Sequence, residues 1–258
     1  MRIGVAATAP LGADVLERLA VSHEIVFLLT RPDARQGRGR KVASPPAKQS
    51  AERLGIAVHQ PEKPELPADV ERVVVCAYGL YIPPRLLELS LFLNVHPSLL
   101  PRWRGAAPVE RAILAGDEET GVTIHETVAE LDAGPIAAQE RLAIGDDDAG
   151  QVFLRAGEVA ARLLDDVLAD PQFEPQQGES TYAEKITPAD RQLDLTDTVD
   201  AWRRIRALSP HIGARAELHG RQVTIWNARL EDGALVPEIV QPDGRNRMSY
   251  DEFVRGLR

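Results

Sequence analysis

One cysteine stands among 258 residues. A single thiol closes no internal disulfide, so the fold is held by packing and hydrogen bonds, as suits a reducing compartment. That cysteine, Cys76, sits in the run Val73-Val74-Val75-Cys76-Ala77 and reads as a buried strand residue. No apolar run is long enough to span a bilayer, and Met1-Arg2-Ile3-Gly4-Val5 enters a strand-like stretch directly, without a signal-type apolar segment. The expectation is a cytoplasmic protein with no membrane association. Three motifs are also missing: G-x-x-x-x-G-K-[ST], a G-x-G-x-x-G after the first strand, and H-E-x-x-H. Classical nucleotide loops and zinc-protease chemistry are therefore unsupported. Gly37-Arg38-Gly39 lies in a basic loop, and His125-Glu126 is followed by Ala129 where a second histidine would stand. No metal is expected, and neither an internal repeat nor a low-complexity tract is present.

The rest of the composition is that of a globular protein, with 44% hydrophobic and 27% charged residues. The net charge of −9 makes general polyanion binding unfavourable, so a nucleic-acid site has to be a local basic patch. The length suits one full core and a smaller second unit.

Apolar patterning alternates strands with helices through the first two-thirds of the chain. Residues 2–7, 24–29, 72–77 and 91–96 read as strands, with 120–128 and 136–144 as further strand candidates. Residues 11–19, 46–54, 83–89, 108–115 and 150–168 read as helices, several opening on proline, and Gly116 closes one of them. This alternation predicts an α/β fold with a doubly wound, mostly parallel sheet. Around residues 170–180 the composition shifts to Pro171, Pro175, Gln176, Gln177 and Gly178, which reads as an exposed linker. Beyond it come a helix over 196–208, with Thr196 or Asp197 as N-cap, alternating segments at 214–218, 222–230 and 234–240, and a short helix over 249–257. A small antiparallel β unit follows from that pattern.

The chemistry concentrates in Asn94-Val95-His96-Pro97-Ser98-Leu99-Leu100-Pro101. Residues i and i+2 of a strand share a face, so Asn94 and His96 project together at the carboxyl end of a parallel strand. Open α/β sheets place their ligand crevices at such ends. The apolar loop that follows suits a flat ring. Downstream, Leu131-Asp132-Ala133-Gly134-Pro135 reads as a tight turn carrying a carboxylate. An amide, an imidazole and a carboxylate make an acyl-transfer set: the first two can donate to a tetrahedral oxyanion, and the carboxylate can orient the imidazole and relay a proton. An α-amino nucleophile, with a pKa of about 8, needs no strong base. The same residues also fit a plain structural set, with Asn94 in a turn, His96 bonded in the core and Asp132 on a surface turn. Residue chemistry alone leaves both readings open.

The run from Asn94 through Arg102-Trp103-Arg104-Gly105-Ala106-Ala107-Pro108 resembles the signature of methionyl-tRNA formyltransferases, a branch of the folate-dependent formyltransferases. Gly116-Asp117-Glu118-Glu119-Thr120-Gly121-Val122-Thr123-Ile124, running on to Leu131-Asp132-Ala133-Gly134, is similar in the same way. The resemblance implies that Asn94, His96 and Asp132 are catalytic, that 10-formyltetrahydrofolate is the co-substrate, and that initiator methionyl-tRNA is the acceptor. It further implies a folate-binding surface from Tyr78, Gly79, Leu80 and Ile82, within the similar stretch Val75-Cys76-Ala77-Tyr78-Gly79-Leu80-Tyr81-Ile82-Pro83, together with Ser98, Leu99, Leu100 and Pro101. The basic loop from Arg31 to Lys41 resembles one that this family inserts against the acceptor stem. It implies tRNA contacts from Arg38, Arg40 and Lys41, with Arg102 and Arg104 beside the catalytic strand. Thr181-Tyr182-Ala183-Glu184-Lys185-Ile186 resembles the family's interdomain segment.

The C-terminal part departs from the family. It resembles one strand at 222–230 and the closing motif at 241–249, and the strands between them look deleted, so a reduced OB-like unit is expected. The turn Ala6-Ala7-Thr8-Ala9-Pro10 also departs from the family's G-T-P type. The expected organisation is a catalytic domain over 1–171, a linker over 172–195 and a reduced C-terminal domain over 196–258, working as a monomer. The rival readings are a sugar-nucleotide N-formyltransferase using the same donor, a formyltetrahydrofolate hydrolase, and an RNA- or folate-binding module without turnover.

Overall fold

The computed structural model describes residues 1–36 and 41–257, with the side chains of Arg35, Gln36 and Lys41 set aside. Two compact units make up the chain. The first comprises Met1–Arg104, Gly121–Leu142 and Leu154–Thr181; the second comprises Gly105–Thr120, Ala143–Phe153 and Tyr182–Arg258.

In chain order the elements are β1 (Arg2–Ala7), α1 (Pro10–Ser22), β2 (Glu24–Leu29), β3 (Ala34–Gln36), β4 (Lys41–Ala43), α2 (Pro46–Leu54), β5 (Val58–His59), β6 (Arg72–Cys76), α3 (Pro84–Leu87), β7 (Leu91–His96), β8 (Arg104–Gly105), α4 (Pro108–Ala115), β9 (Glu119–Glu126), β10 (Ile136–Ala143) and α5 (Ala149–Val167). They continue as β11 (Tyr182–Ala183), a 3-10 turn (Ala189–Arg191), α6 (Thr198–Leu208), β12 (Ala214–Leu218), β13 (Arg221–Glu231), β14 (Ala234–Pro242), β15 (Met248–Ser249) and α7 (Tyr250–Arg255). Helices α1 to α4 each begin on a proline, whose missing N–H costs nothing in a first turn. Helices α2 and α4 end at Gly55 and Gly116, both left-handed, with φ of 72° and 77°.

The first unit is built on a sheet ordered β10-β9-β7-β6-β1-β2-β5. Strands β1, β2, β5, β6 and β7 run parallel, as the alternation of strands and helices predicts. Val73, Val74 and Cys76 are fully buried, which is why β6 reads as an unbroken apolar run. Strand β6 stops one residue short of the predicted end because Ala77 takes a left-handed φ of 48°. Chain order reverses between β1 and β6, so the carboxyl ends of β1, β6 and β7 lie side by side, where open sheets form their crevices. Strand β9 is the exception to the parallel set and pairs antiparallel with β7.

The second unit carries an antiparallel sheet ordered β12-β13-β14-β15. Its two tight hairpins use His219-Gly220 and Asp232-Gly233, all four residues having φ between 49° and 77°. Loops of this mirror-image type match the twist of paired strands. Helix α6 starts at Thr198 because the Asp197 carboxylate caps the Asp200 amide at 3.0 Å, while Thr196 bonds Asp194 instead. The 181–186 motif has a structural use within this unit. Arg111 of α4 donates to the carbonyls of Glu184 and Lys185 and grips both oxygens of Asp190 at 2.9 and 3.1 Å. That fork, with the Thr187 amide and hydroxyl, brings the Asp190 carboxyl down to about 2.

A carboxylate with a lowered pKa stabilises the fold above the ordinary carboxyl range and loses that contribution as pH falls toward its native value. Asp190→Asn is therefore expected to lower the denaturation midpoint at pH 7 clearly and at pH 2 to 2.5 very little. Denaturant melts of both proteins at the two pH values check this.

Candidate active site

Strand β7 ends with Asn94 and His96, and the antiparallel β9 beside it sets Asn94 opposite His125 and His96 opposite Thr123. The Asp132 turn then folds back over both strands. Four polar side chains meet there. Asn94 Nδ2 lies 3.0 Å from His125 Nε2 and 3.4 Å from Asp132 Oδ1. Asp132 Oδ2 is 3.7 Å from His96 Nδ1, and Asp132 Oδ1 is 3.7 Å from His125 Nε2. The two imidazoles meet edge to face with centroids 6.3 Å apart.

Partners fix the protonation pattern. His125 Nδ1 is 2.8 Å from the Glu126 carbonyl, which only accepts, so the proton sits on Nδ1 and Nε2 accepts from Asn94. His96 Nε2 is 2.8 Å from the Trp103 carbonyl, so it donates there, and Nδ1 turns toward Asp132. Burial of His96 lowers its pKa below the usual 6.5, against smaller raising effects of Asp132 and the Trp103 bond. At neutral pH the ring is a neutral base with a carboxylate in place to receive its charge. Both histidines are buried, whereas Asn94 is half-buried.

The loops around the cluster are held at specific points. Asp132 has a left-handed φ of 50°, a conformation that costs a non-glycine residue on the order of 1–2 kcal/mol. Gly134 packs directly on the Glu126 carbonyl, where a Cβ has no room, so the turn sits tight against β9. Trp103, with φ of 63°, aims its carbonyl at His96, and its amide donates to Thr181 Oγ1 at 2.9 Å. The apolar loop after β7 is pinned by Thr123, whose hydroxyl donates to the Ser98 carbonyl at 2.6 Å and accepts from the Leu100 amide at 3.2 Å.

The structure brings Asn94, His96 and Asp132 together. The expected folate residues lie on the loops after β6 and β7, neighbouring strands. Among them Gly79 is exposed, and Leu80, Leu99 and Pro101 are half-buried. Tyr78 and Ile82 are buried and pack in the core with Phe27 and Phe92, and the Tyr78 carbonyl accepts from Thr8 Oγ1 at 2.8 Å. Ser98 is buried with its hydroxyl on the Arg102 carbonyl, and Leu100 is buried too. Arg38 and Arg40 lie outside the described residues, as does the Lys41 side chain. Arg102 is exposed, with its guanidinium 4.6 Å above the Trp103 ring. Arg104 is mostly buried and reaches Gln176 and Glu130. His125 was missed by sequence reasoning, which tested it only as part of a zinc motif. Its signal is the antiparallel register of β9 on β7, a non-local fact.

The mostly parallel sheet thus carries an amide, an imidazole and a carboxylate at the carboxyl edge of β7, a set whose chemistry is compatible with acyl transfer. The model of the formyl transferase family matches residues 1–168, and the chain belongs to that family. The methionyl-tRNA formyltransferase of Cereibacter sphaeroides is 38% identical over an alignment of 294 positions that covers 100% of this chain and 96% of the relative. The alignment is longer than this chain, so the relative has residues that this chain lacks. Among solved structures, the methionyl-tRNA formyltransferase from Clostridium thermocellum superposes with a TM-score of 0.67 at 16% identity, covering 94% of this chain and 98% of that one. HypX from Aquifex aeolicus in complex with tetrahydrofolic acid gives a TM-score of 0.70 at 17% identity, covering 98% of this chain and 46% of that one.

His125→Ala removes the nearer of the two acceptors of Asn94 Nδ2, leaving only Asp132 Oδ1 at 3.4 Å to hold the amide. A fall in kcat of about 10- to 100-fold is expected, with the folate KM near that of the parent enzyme. Steady-state kinetics check it.

Proposed function

We propose that the chain transfers the formyl group of 10-formyltetrahydrofolate to the amino group of initiator methionyl-tRNA. The observation that carries this reading is the Asn94–His96–Asp132 cluster at the carboxyl edge of the sheet, in a chain of this family. We place the donor's flat ring against the loops after β6 and β7, where Gly79 is exposed and Leu80, Leu99 and Pro101 are half-buried, with Tyr78, Ile82 and Leu100 packed beneath them and Ser98 holding the second loop in shape. The donor supplies a carbon already at the formyl level.

The residues then divide the work. The α-amino group attacks the formyl carbon, and the carbonyl oxygen gains charge. Asn94 Nδ2 is its donor: the hydrogen directed at Asp132 over 3.4 Å is the longer of its two bonds and turns at little cost. His96 accepts the amine's proton at Nδ1, since Nε2 is committed to Trp103. The imidazolium so formed pairs with Asp132 and becomes a second donor to the oxyanion. It then returns the proton to the nitrogen that loses the formyl group. The sequence alone pictured His96 as an oxyanion donor from the start; the Trp103 bond defers that role until the ring is charged.

For the tRNA we propose contacts from Arg38, Arg40, Lys41 and Arg102, with residues 1–171 as the catalytic domain, 172–195 as connector and 196–258 as a reduced C-terminal domain. The chain acts as a cytoplasmic monomer. No helix among the described residues is long and apolar enough to cross a membrane.

Formylation of charged initiator tRNA is expected to drop by about 10²- to 10³-fold in Asn94→Ala, the scale of a lost oxyanion donor. His96→Ala and Asp132→Ala are expected to lose more, since each removes a proton-handling group. Folded variants with full activity overturn the assignment. Formylation of a nucleotide sugar in place of tRNA, or release of formate without an acceptor, overturns the proposed acceptor.

The pH profile supplies a separate check. The base has to be neutral and so does the attacking amine, whose pKa is about 8. Referred to the free amine, the rate is expected to stay flat to below pH 6.5 and to fall as pH drops through the lowered His96 value. A profile that already falls above pH 7 after that correction contradicts this.

A further inference from the structure

Gln176 lies in the stretch that the sequence presents as an exposed linker. Its side chain does something more specific. The amide nitrogen donates to the carbonyl of Asp132 at 2.7 Å and to that of Gly134 at 2.9 Å. Its oxygen accepts from Arg104, at 3.2 Å from Nε and 2.7 Å from Nη2. A guanidinium only donates and the two carbonyls only accept, so the amide has one orientation that satisfies both sides. No other uncharged side chain of this length has two donors at one end and an acceptor at the other.

The clamp is anchored on both flanks. Glu174 exchanges two backbone hydrogen bonds with Ile136, at 2.7 and 2.9 Å, which fixes the chain two residues before Gln176 beside the start of β10. Thr181 receives the Trp103 amide on its hydroxyl and the Arg104 amide on its carbonyl, each at 2.9 Å. Residues 174–181 therefore lace the Asp132 turn to the loop whose Trp103 carbonyl holds His96. Asp132 sits in the unfavourable left-handed region, and a strained turn keeps one conformation only where its surroundings over-determine it.

We propose that Gln176, oriented by Arg104, is a positioning residue that holds the Asp132 carboxylate at the working distance from His96 and Asn94. This rests on the catalytic role given to Asp132 under Proposed function. It also gives Arg104 a different task from the tRNA contact that its basic neighbourhood suggested. Arg104 is largely buried, and its guanidinium is engaged by Gln176 and by Glu130 at 3.3 Å.

The test compares Gln176→Ala, Gln176→Glu, Arg104→Lys and Asp132→Ala as full-length proteins. Thermal melts and circular dichroism confirm folding, and formylation is followed against both substrates and pH. Gln176→Glu keeps the acceptor for Arg104 but faces two carbonyls with a carboxylate. It is expected to lose kcat as far as Gln176→Ala does, roughly 10- to 100-fold, as for small displacements of a reacting group. KM for both substrates is expected to stay near the parent value. The acid limb of the kcat profile is expected to move to lower pH, because a carboxylate drawn away from His96 no longer supports its charged form. Arg104→Lys, which lacks the planar fork that Gln176 accepts from, is expected to lose part of kcat and to leave the tRNA KM near the parent value. If Gln176→Ala and Gln176→Glu keep the parent kcat and pH profile while Asp132→Ala is inactive, the positioning role is overturned and the catalytic reading stands. If Asp132→Ala is itself active, the catalytic reading falls and takes this inference with it. A tRNA KM that rises in Arg104→Lys while kcat holds assigns Arg104 to the tRNA and overturns its place in the clamp.

Discussion

The site depends on one reversal of direction. Strand β9 pairs antiparallel with β7 in a register that sets His125 against Asn94 and Thr123 against His96. From that pairing follow the Asn94–His125 bond, the Thr123 ties that shape the loop after β7, and the surface on which Gly134 rests to deliver Asp132. A shift of one residue would turn His125 to the other face of the sheet and leave the Asn94 amide and the Asp132 carboxylate without their common neighbour.

Electrostatically the cluster is a balance of burial against a single carboxylate. Burial favours the neutral form of His96, and Asp132 is placed to favour the charged form when a proton arrives. Neither effect alone makes a proton carrier. An imidazole paired too closely with a carboxylate stays charged, and one buried without it resists taking the proton. Burial leaves the ring neutral at rest, and the Asp132 carboxylate at 3.7 Å and the hydrogen bond to Trp103 favour its charged form.

Much of this was legible in the sequence, for physical reasons. Apolar runs with proline openings marked β1, β2, β6, β7 and helices α1 to α4, because parallel strands are buried on both faces and proline tolerates only the first turn. Asn94 and His96 were legible as a pair because alternation in a strand is local. Asp132 was legible through its turn and the family motif. His125 and Gln176 were not. Each gains its role from a partner far away in the chain, across a β-pairing for one and across a side-chain fork for the other. Polar, loop-like composition around Gln176 conceals that role, since a residue whose task is to join two loops looks like a loop residue itself. Tyr78 shows the converse. Its place in a loop that resembles a ligand loop suggested an open side chain, yet the residue is buried, with its ring in the core and its carbonyl bonded to Thr8.

The lacing of residues 174–181 back onto the Trp103 and Asp132 loops also bears on the order in which the molecule is made. Chains are synthesised from the N-terminus, and the parallel sheet is complete in sequence by residue 143. The closing stitches come from residues that leave the ribosome some thirty positions later. While those residues are still unsynthesised, every strand of the sheet is already present in the chain, but the segment that joins the Asp132 turn to the Trp103 loop is not.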